Sequence, residues 1–364
     1  MDRDPLFPAQ TSHQLSIKSK LWGRTDGKDV QLYTLVNSKG MTVEVTNYGG
    51  IVVRLVAPDR NGKYENIVLG FDSLVQYMNQ NSPYMGAIIG RYANRISKAG
   101  FVLDNIRYNL APNDHPNHSH GGIKGFSKVV WDASEITGAD SVGVVLQYLS
   151  KDMEEGYPGN LNVKVTYELN NDNELKIYYE AKTDKPTVLN LTHHSYFNLT
   201  AHKETVLGHD LTIFADSMTP TDSSWVPTGE IVPISGTDYD FTQPHQVGER
   251  INNLAHGYNI NFVLQKQCTS EPVKAAEVYD STTGRFLEVY TTEPGLQLYT
   301  GDYLDGSITG SGDIVFGKNI GLCLEAQHFP DSPNKPDFQS TVLRPGEIYS
   351  QLTIYKLSAK HILF

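Results

Sequence analysis

The run Asn190-Leu-Thr-His-His-Ser-Tyr-Phe-Asn-Leu199 sets two histidines side by side among β-favouring residues. Neighbouring side chains on an extended strand point to opposite faces. His194 is therefore expected to share a face with Thr192 and Tyr196, and His193 to join Ser195 and Phe197 on the other. One imidazole can then be held in a site while its neighbour serves the structure. With an ordinary pKa of about 6.5, an imidazole so held exchanges protons near neutrality. A second proton-handling group ends the apolar strand Gly321-Leu-Cys-Leu-Glu325, ahead of Ala-Gln-His-Phe-Pro-Asp331. Burial without a cation raises a carboxyl pKa, and a nearby Arg or His lowers it. Either makes Glu325 a general acid or base; the alternative is a buried salt bridge.

Two further segments carry polar groups of the kind that hold hydroxyls. Gly90-Arg-Tyr-Ala-Asn-Arg-Ile96 follows the apolar Gly86-Ala-Ile-Ile89. The guanidinium of Arg95 and the amide of Asn94 can both bind hydroxyl oxygens, or the arginines can form surface ion pairs. In His115-Pro-Asn-His-Ser-His-Gly-Gly122, His118 and His120 share a face if extended. Their spacing matches no familiar zinc pattern, and Asp114 is the only acid close by. A hydrogen-bonding loop is the better reading, with Gly121-Gly122 allowing backbone to approach a ligand. No phosphate loop and no G-x-S-x-G elbow is present; Gly306-Ser-Ile-Thr-Gly-Ser-Gly312 reads as a turn.

The elements that must position these groups are strands. Asn162–Leu169 alternates with Val163, Val165, Tyr167 and Leu169 on one face. After Asn170-Asn-Asp-Asn173 the alternation resumes through Leu175, Ile177 and Tyr179, which makes a hairpin with one wet face. Similar signals recur at 30–36, 41–47, 51–57, 101–110, 142–149, 211–215, 286–292, 296–300, 320–325 and 348–357. Helices are expected only at 72–79 and 246–254. Pro, Thr, Asp and Gly fill 215–250, the longest irregular stretch, and no low-complexity linker divides the chain. This pattern predicts an all-β protein, one large antiparallel β-sandwich with few short helices.

The chain has 364 residues and a net charge of −11, with its Lys and Arg scattered singly. That argues against nucleic acid or an anionic membrane surface as partner. No apolar run approaches the roughly 20 residues that span a bilayer. The opening Met-Asp-Arg-Asp-Pro-Leu-Phe-Pro lacks the apolar centre of an export signal, so a cytoplasmic location is expected. Cys268 and Cys323, the only cysteines, make neither a disulfide framework nor a C-x-x-C pair. The glycosylation-type triplets at Asn117, Asn190 and Asn198 flank the histidine segments and are read as chance.

Taken in order, Asn94-Arg95, Ser-His-Gly-Gly around His120, Thr-His-His-Ser-Tyr-Phe-Asn-Leu around His194, and Leu-Glu-Ala-Gln-His-Phe-Pro-Asp around Glu325 resemble the motifs of the aldose 1-epimerases, or galactose mutarotases. Glu155-Gly-Tyr-Pro-Gly159, Pro227-Thr-Gly-Glu230, Pro294-Gly-Leu-Gln-Leu-Tyr-Thr-Gly301 and Leu343-Arg-Pro-Gly-Glu347 add to the match, which runs from about residue 25 to the C-terminus. The resemblance implies a galactose mutarotase-like supersandwich over 25–364, preceded by an N-terminal extension, 1–24. It implies a cleft for a free aldopyranose, with Glu325 as the base at the anomeric hydroxyl and His194 as the acid at the ring oxygen. Asn94, Arg95, His120, Asn259 and Gln297 would hold sugar hydroxyls. No metal, nucleotide or other cofactor is called for, and the partner is a monosaccharide bound by a monomer or weak homodimer.

One departure bears on specificity. Where the family usually carries Asp in His256-Gly-Tyr-Asn-Ile-Asn-Phe262, this chain has Asn259. A carboxylate only accepts, whereas an amide offers one acceptor oxygen and an NH₂. Weaker sugar binding or a changed preference is expected, with the proton chemistry kept. His193, where Asn is common, is a milder departure and should face away from the site. The competing readings are an isomerase of another sugar or hemiacetal metabolite on the same scaffold, and a non-catalytic carbohydrate-binding protein. A glycosidase needs two carboxylates across one bond, and only Glu325 has a strong claim.

Overall fold

Alternation of apolar and polar residues gives the hairpin Leu161–Asn170 and Glu174–Thr183, with Tyr167 opposite Ile177. Val163, Val165, Tyr167, Leu169, Leu175, Ile177 and Tyr179 all enter the core. The turn is closed by Asn170, whose Oδ1 accepts from the backbone N–H groups of Asp172 and Glu174. The fold is that of a computed structural model, which describes residues 13–79, 83–265 and 270–360; Cys268 lies outside them.

The hairpin belongs to a nine-stranded sheet running, in spatial order, Asp132–Thr137, Ser141–Ser150, Leu161–Asn170, Glu174–Thr183, Tyr349–Ala359, Arg285–Thr291, Val273–Tyr279, Asp210–Ile213 and His245–Gln246. A five-stranded meander comprises Ser16–Thr25, Lys28–Val36, Thr42–Thr46, Val52–Pro58 and Tyr64–Asn66. A second five-stranded sheet orders Val232–Pro233, Ala215–Thr219, Asn259–Leu264, Gly295–Tyr299 and Cys323–Gln327. Ladders between the strands of all three sheets are antiparallel. Side chains from the three sheets meet in one hydrophobic cluster, so the molecule is the expected all-β sandwich. Among the described residues no helix is long and apolar enough to cross a membrane.

The structure departs from the sequence reading in a few places. Ser16–Thr25, in the segment read as an extension, pairs with Lys28–Val36 and so is part of the meander. The signal was Asp26-Gly27: both have positive φ (51° and 72°), the geometry of a tight hairpin turn. The 101–110 signal splits into Gly100–Leu103 and Ile106–Asn109 around another positive-φ pair, Asp104-Asn105. Leu74–Asn79 is helical as expected, but 246–254 is not an α-helix. There the N–H groups of Val247 and Gly248 donate to the carbonyls of His209 and Leu207, leaving only the single 3₁₀ turn Ile251–Asn253.

Candidate active site

The second five-stranded sheet separates its side chains by parity. Ile260, Phe262, Leu296, Leu298, Leu324 and Ala326 enter the apolar core. The opposite face carries Asn259, Gln297, Tyr299 and Glu325 into a cleft of about 430 Å³. Register brings Gln297 directly opposite Glu325, and Tyr299 opposite Cys323. A polar strand face that is also buried explains why Glu325 closes an otherwise apolar run.

His194 reaches this cleft from the other side. Thr192–His193 pairs with Ile88–Ile89. The His194 backbone continues the pairing, its N–H donating to Ala87 and its carbonyl accepting from Gly86. As parity requires, His194 and Tyr196 line the cleft. His193 turns into the core, bonded to Ser195 Oγ at 2.7 Å and Tyr167 Oη at 3.2 Å. His194 Nε2 lies 3.6 Å from Glu325 Oε1, both side chains almost fully buried.

Burial shifts the pair in opposite directions. It pushes the Glu325 carboxyl up to about 8, with the Arg95 charge pulling partly back. It brings the His194 imidazole down to about 4. Near neutrality the pair therefore holds one proton, on the carboxyl. Two groups in contact, one able to give a proton and the other to take one, suit an acid–base reaction at two adjacent oxygens. Among the described residues, Glu325 Oε2 is buried without a hydrogen-bond partner.

The hydroxyl-binding candidates gather around this pair. Asn94, Arg95, His120, Asn259 and Gln297 all line the cleft. Asn94 adopts positive φ (61°), and its carbonyl accepts from the His120 N–H, which couples the two segments. The Asn94 N–H donates to His120 Nδ1 at 3.4 Å, leaving Nε2 to carry the proton of the neutral ring. Burial holds that ring neutral, pushing its pKa well down. Arg95 Nε donates to Asp114 Oδ2 at 2.6 Å, which fixes the guanidinium at the cleft wall. Gln297 Nε2 donates to Asn259 Oδ1 at 2.7 Å. One lone pair of Asn259 Oδ1 is therefore taken internally, and its NH₂ is a donor where a carboxylate would place a second acceptor oxygen.

Other residues of these motifs are structural. Arg91 is buried, donating to the carbonyls of Pro158, Gly159 and Ser150 and to Ser150 Oγ. His118 donates from Nδ1 to the Ala111 carbonyl at 2.8 Å and bonds Tyr157 Oη through Nε2 at 2.7 Å, so neither nitrogen is left for a metal. Gly121 does not approach a ligand: a Cβ there would lie 1.8 Å from the Gly90 carbonyl oxygen. The glycine admits a backbone crossing instead. Asn117, Asn190 and Asn198 are buried, with side chains bonded inward, where no glycan fits.

Sequence reasoning missed part of the cleft. Tyr84 packs on His120 and His194, with ring centroids 4.6 and 5.9 Å away. Trp225 and Tyr303 line the same cavity. Trp225 has positive φ (63°) inside a turn closed by Asp222, whose Oδ1 accepts from the N–H groups of Ser224 and Val226. It lies in the long irregular stretch 215–250, and that length was the available signal. Cys323, two residues before Glu325, was readable by parity: its Sγ is 3.5 Å from His194 Nδ1.

Comparison with known proteins bears on this geometry. The family model for aldose 1-epimerase matches residues 31–356. The chain belongs to the aldose 1-epimerase family. It is 42% identical over 325 residues to galactose mutarotase of Rattus norvegicus, covering 89% of this chain and 93% of that one. It is 35% identical to aldose 1-epimerase of Escherichia coli K12, covering 92% and 97%. The crystal structure of galactose 1-epimerase from Lactobacillus acidophilus superposes with a TM-score of 0.84 at 29% identity, over 96% of this chain and 100% of that one. As an aldose 1-epimerase the protein is an isomerase, and its galactose mutarotase-like fold agrees with the sandwich described above.

Proposed function

We propose that the protein interconverts the α and β anomers of free aldohexoses such as galactose and glucose, with Glu325 and His194 as the proton-transfer pair. The observation that carries this reading is their 3.6 Å approach at the floor of a cleft lined by hydroxyl-binding groups. In ring opening the pair's one proton first passes from Glu325 to His194; Glu325 as carboxylate then takes the proton of the anomeric hydroxyl while His194 gives its proton to the ring oxygen. The C1–O5 bond breaks and C1 becomes the aldehyde. Rotation about C1–C2 presents the other face of the carbonyl. The two protons then return by the reverse transfers, closing the other anomer. The buried neutral pair, carboxyl protonated and imidazole bare, matches the proton inventory of the open-chain stage. Each group contributes roughly 10² to 10⁴ in rate.

Asn94, Arg95, His120, Asn259 and Gln297 would orient the sugar through its hydroxyls. Galactose heads the proposed substrates because relatives at 42% identity bear the name galactose mutarotase. A second reading keeps the scaffold and reaction but changes the sugar, and Asn259 favours it by offering a donor to the cleft.

The test is polarimetry of α-galactose and α-glucose, with Glu325→Gln as control and a nitrophenyl glycoside as probe for hydrolysis. Acceleration lost in the variant, without glycoside cleavage, is the expected result. Folded parent protein that leaves every aldose at the buffer rate overturns the reading.

A further inference from the structure

Strand parity places the thiol of Cys323 on the same face as the Glu325 carboxyl, and both abut His194. One donor atom from each of the three side chains lies within 4.8 Å of the others, and all three residues are buried. We propose that Cys323, His194 and Glu325 form an inhibitory site for a thiophilic divalent cation of the zinc class at the cleft floor.

A tetrahedral zinc ion binds sulfur at about 2.3 Å and nitrogen or oxygen at about 2.0–2.2 Å, which sets N···S near 3.6 Å and N···O near 3.4 Å. The observed separations are 3.5 Å for His194 Nδ1 to Cys323 Sγ and 3.6 Å for His194 Nε2 to Glu325 Oε1. The contacts run from opposite nitrogens, so capture on one of them takes a rotation of the imidazole or of the carboxyl. Glu325 Oε2, buried and without a hydrogen-bond partner, supplies a ready oxygen ligand. The mixed sulfur, nitrogen and oxygen set, with a single carboxylate, suits zinc and not magnesium or calcium. His194 and Glu325 line the cleft, which is the side from which a fourth ligand would come.

Zinc coordination occupies the lone pairs that the reaction needs, so bound metal and sugar exclude one another. Metal capture depends on the three side chains alone, whereas the inhibition rests on the proton-transfer roles proposed above. Binding must also displace the thiol proton, so capture tightens as pH rises.

The experiment loads chelator-treated protein with Co²⁺ and follows the near-ultraviolet thiolate-to-cobalt charge-transfer band. The parent and Cys268→Ser should show it, and Cys323→Ser and Cys323→Ala should not. Zn²⁺ should inhibit mutarotation by the parent competitively with sugar, with half-inhibition moved at least about 10–100-fold higher in Cys323→Ser. Glu325→Gln, which preserves the side-chain shape, should shift the cobalt titration even if the cysteine variants fold poorly. No band in folded parent, or an unchanged band in Cys323→Ser, overturns the site; so does equal zinc sensitivity of parent and Cys323→Ser. A cobalt band in a protein without mutarotase activity would instead leave the metal site standing and remove the catalytic reading.

Discussion

His194 Nε2 stands 3.6 Å from Glu325 Oε1, and burial inverts their usual order of acidity, holding the carboxyl at about 8 and the imidazole at about 4. Between those values the pair carries one proton. Above about 8 it carries none, and below about 4 it carries two. Because mutarotation takes one proton and gives another, the enzyme-dependent rate should be flat between these limits and fall on both sides. Both limbs belong to the pair as a unit. Initial polarimetric rates, corrected for buffer catalysis at each pH, check this; a rate that stays level through pH 8 and beyond refutes it.

Glu325→Gln should cost roughly 10² to 10⁴ in kcat while stabilising the fold. A carboxyl raised from an unfolded value of 4.5 to about 8 binds more protons folded than unfolded throughout that interval. The contribution of Glu325 to parent stability therefore declines as pH rises from about 4.5 to about 8, on the order of a few kcal/mol in total, against the opposite trend of the buried histidines, which both proteins share. The glutamine variant lacks this decline. Its advantage in Tm should be near zero at pH 4 and grow toward pH 8, which calorimetry across that range can read.

Asn259→Asp should lower KM or shift the sugar profile with little effect on the proton step. Gln297 Nε2 can donate to one carboxylate oxygen as it does to Asn259 Oδ1, leaving the other to accept from a sugar hydroxyl. KM and relative kcat/KM across galactose, glucose, xylose and arabinose measure the effect. Identical values for parent and variant would show that position 259 does not touch substrate.

Trp225→Ala removes an aromatic wall of the cleft, one that packs on His256. At about 0.5–1.5 kcal/mol for an aromatic contact, KM should rise roughly 2- to 10-fold with kcat retained. A fall in kcat at unchanged KM would assign Trp225 a different part.

The two arginines of Gly90–Ile96 should separate cleanly. Arg91 neutralises a cluster of buried carbonyls, so Arg91→Leu should lose about 3–5 kcal/mol of stability, read by denaturant unfolding. Arg95 lines the cleft beside Asp114, so Arg95→Leu should chiefly reduce kcat/KM at nearly unchanged Tm. Similar losses of stability in both variants would contradict the division.

The sequence by itself determined which residues are candidates for the chemistry and which face each presents. A period of two is a local property, so it separated His194 from His193 and paired Val163 with Tyr167. It also marked Glu325 as a carboxyl on an apolar strand. Tight turns at Asp26-Gly27 and Asp104-Asn105 were legible in the same way. Tertiary structure alone decided the rest. Glu325 and His194 lie far apart in the chain, and only cross-strand register sets Gln297 opposite Glu325 and carries the Cys323 thiol to His194. No local pattern distinguishes Arg91 from Arg95, because the difference is which carbonyls and carboxylates fold around each. The pKa inversion has the same origin: desolvation depends on what surrounds a side chain, and chain segments distant in sequence supply those surroundings.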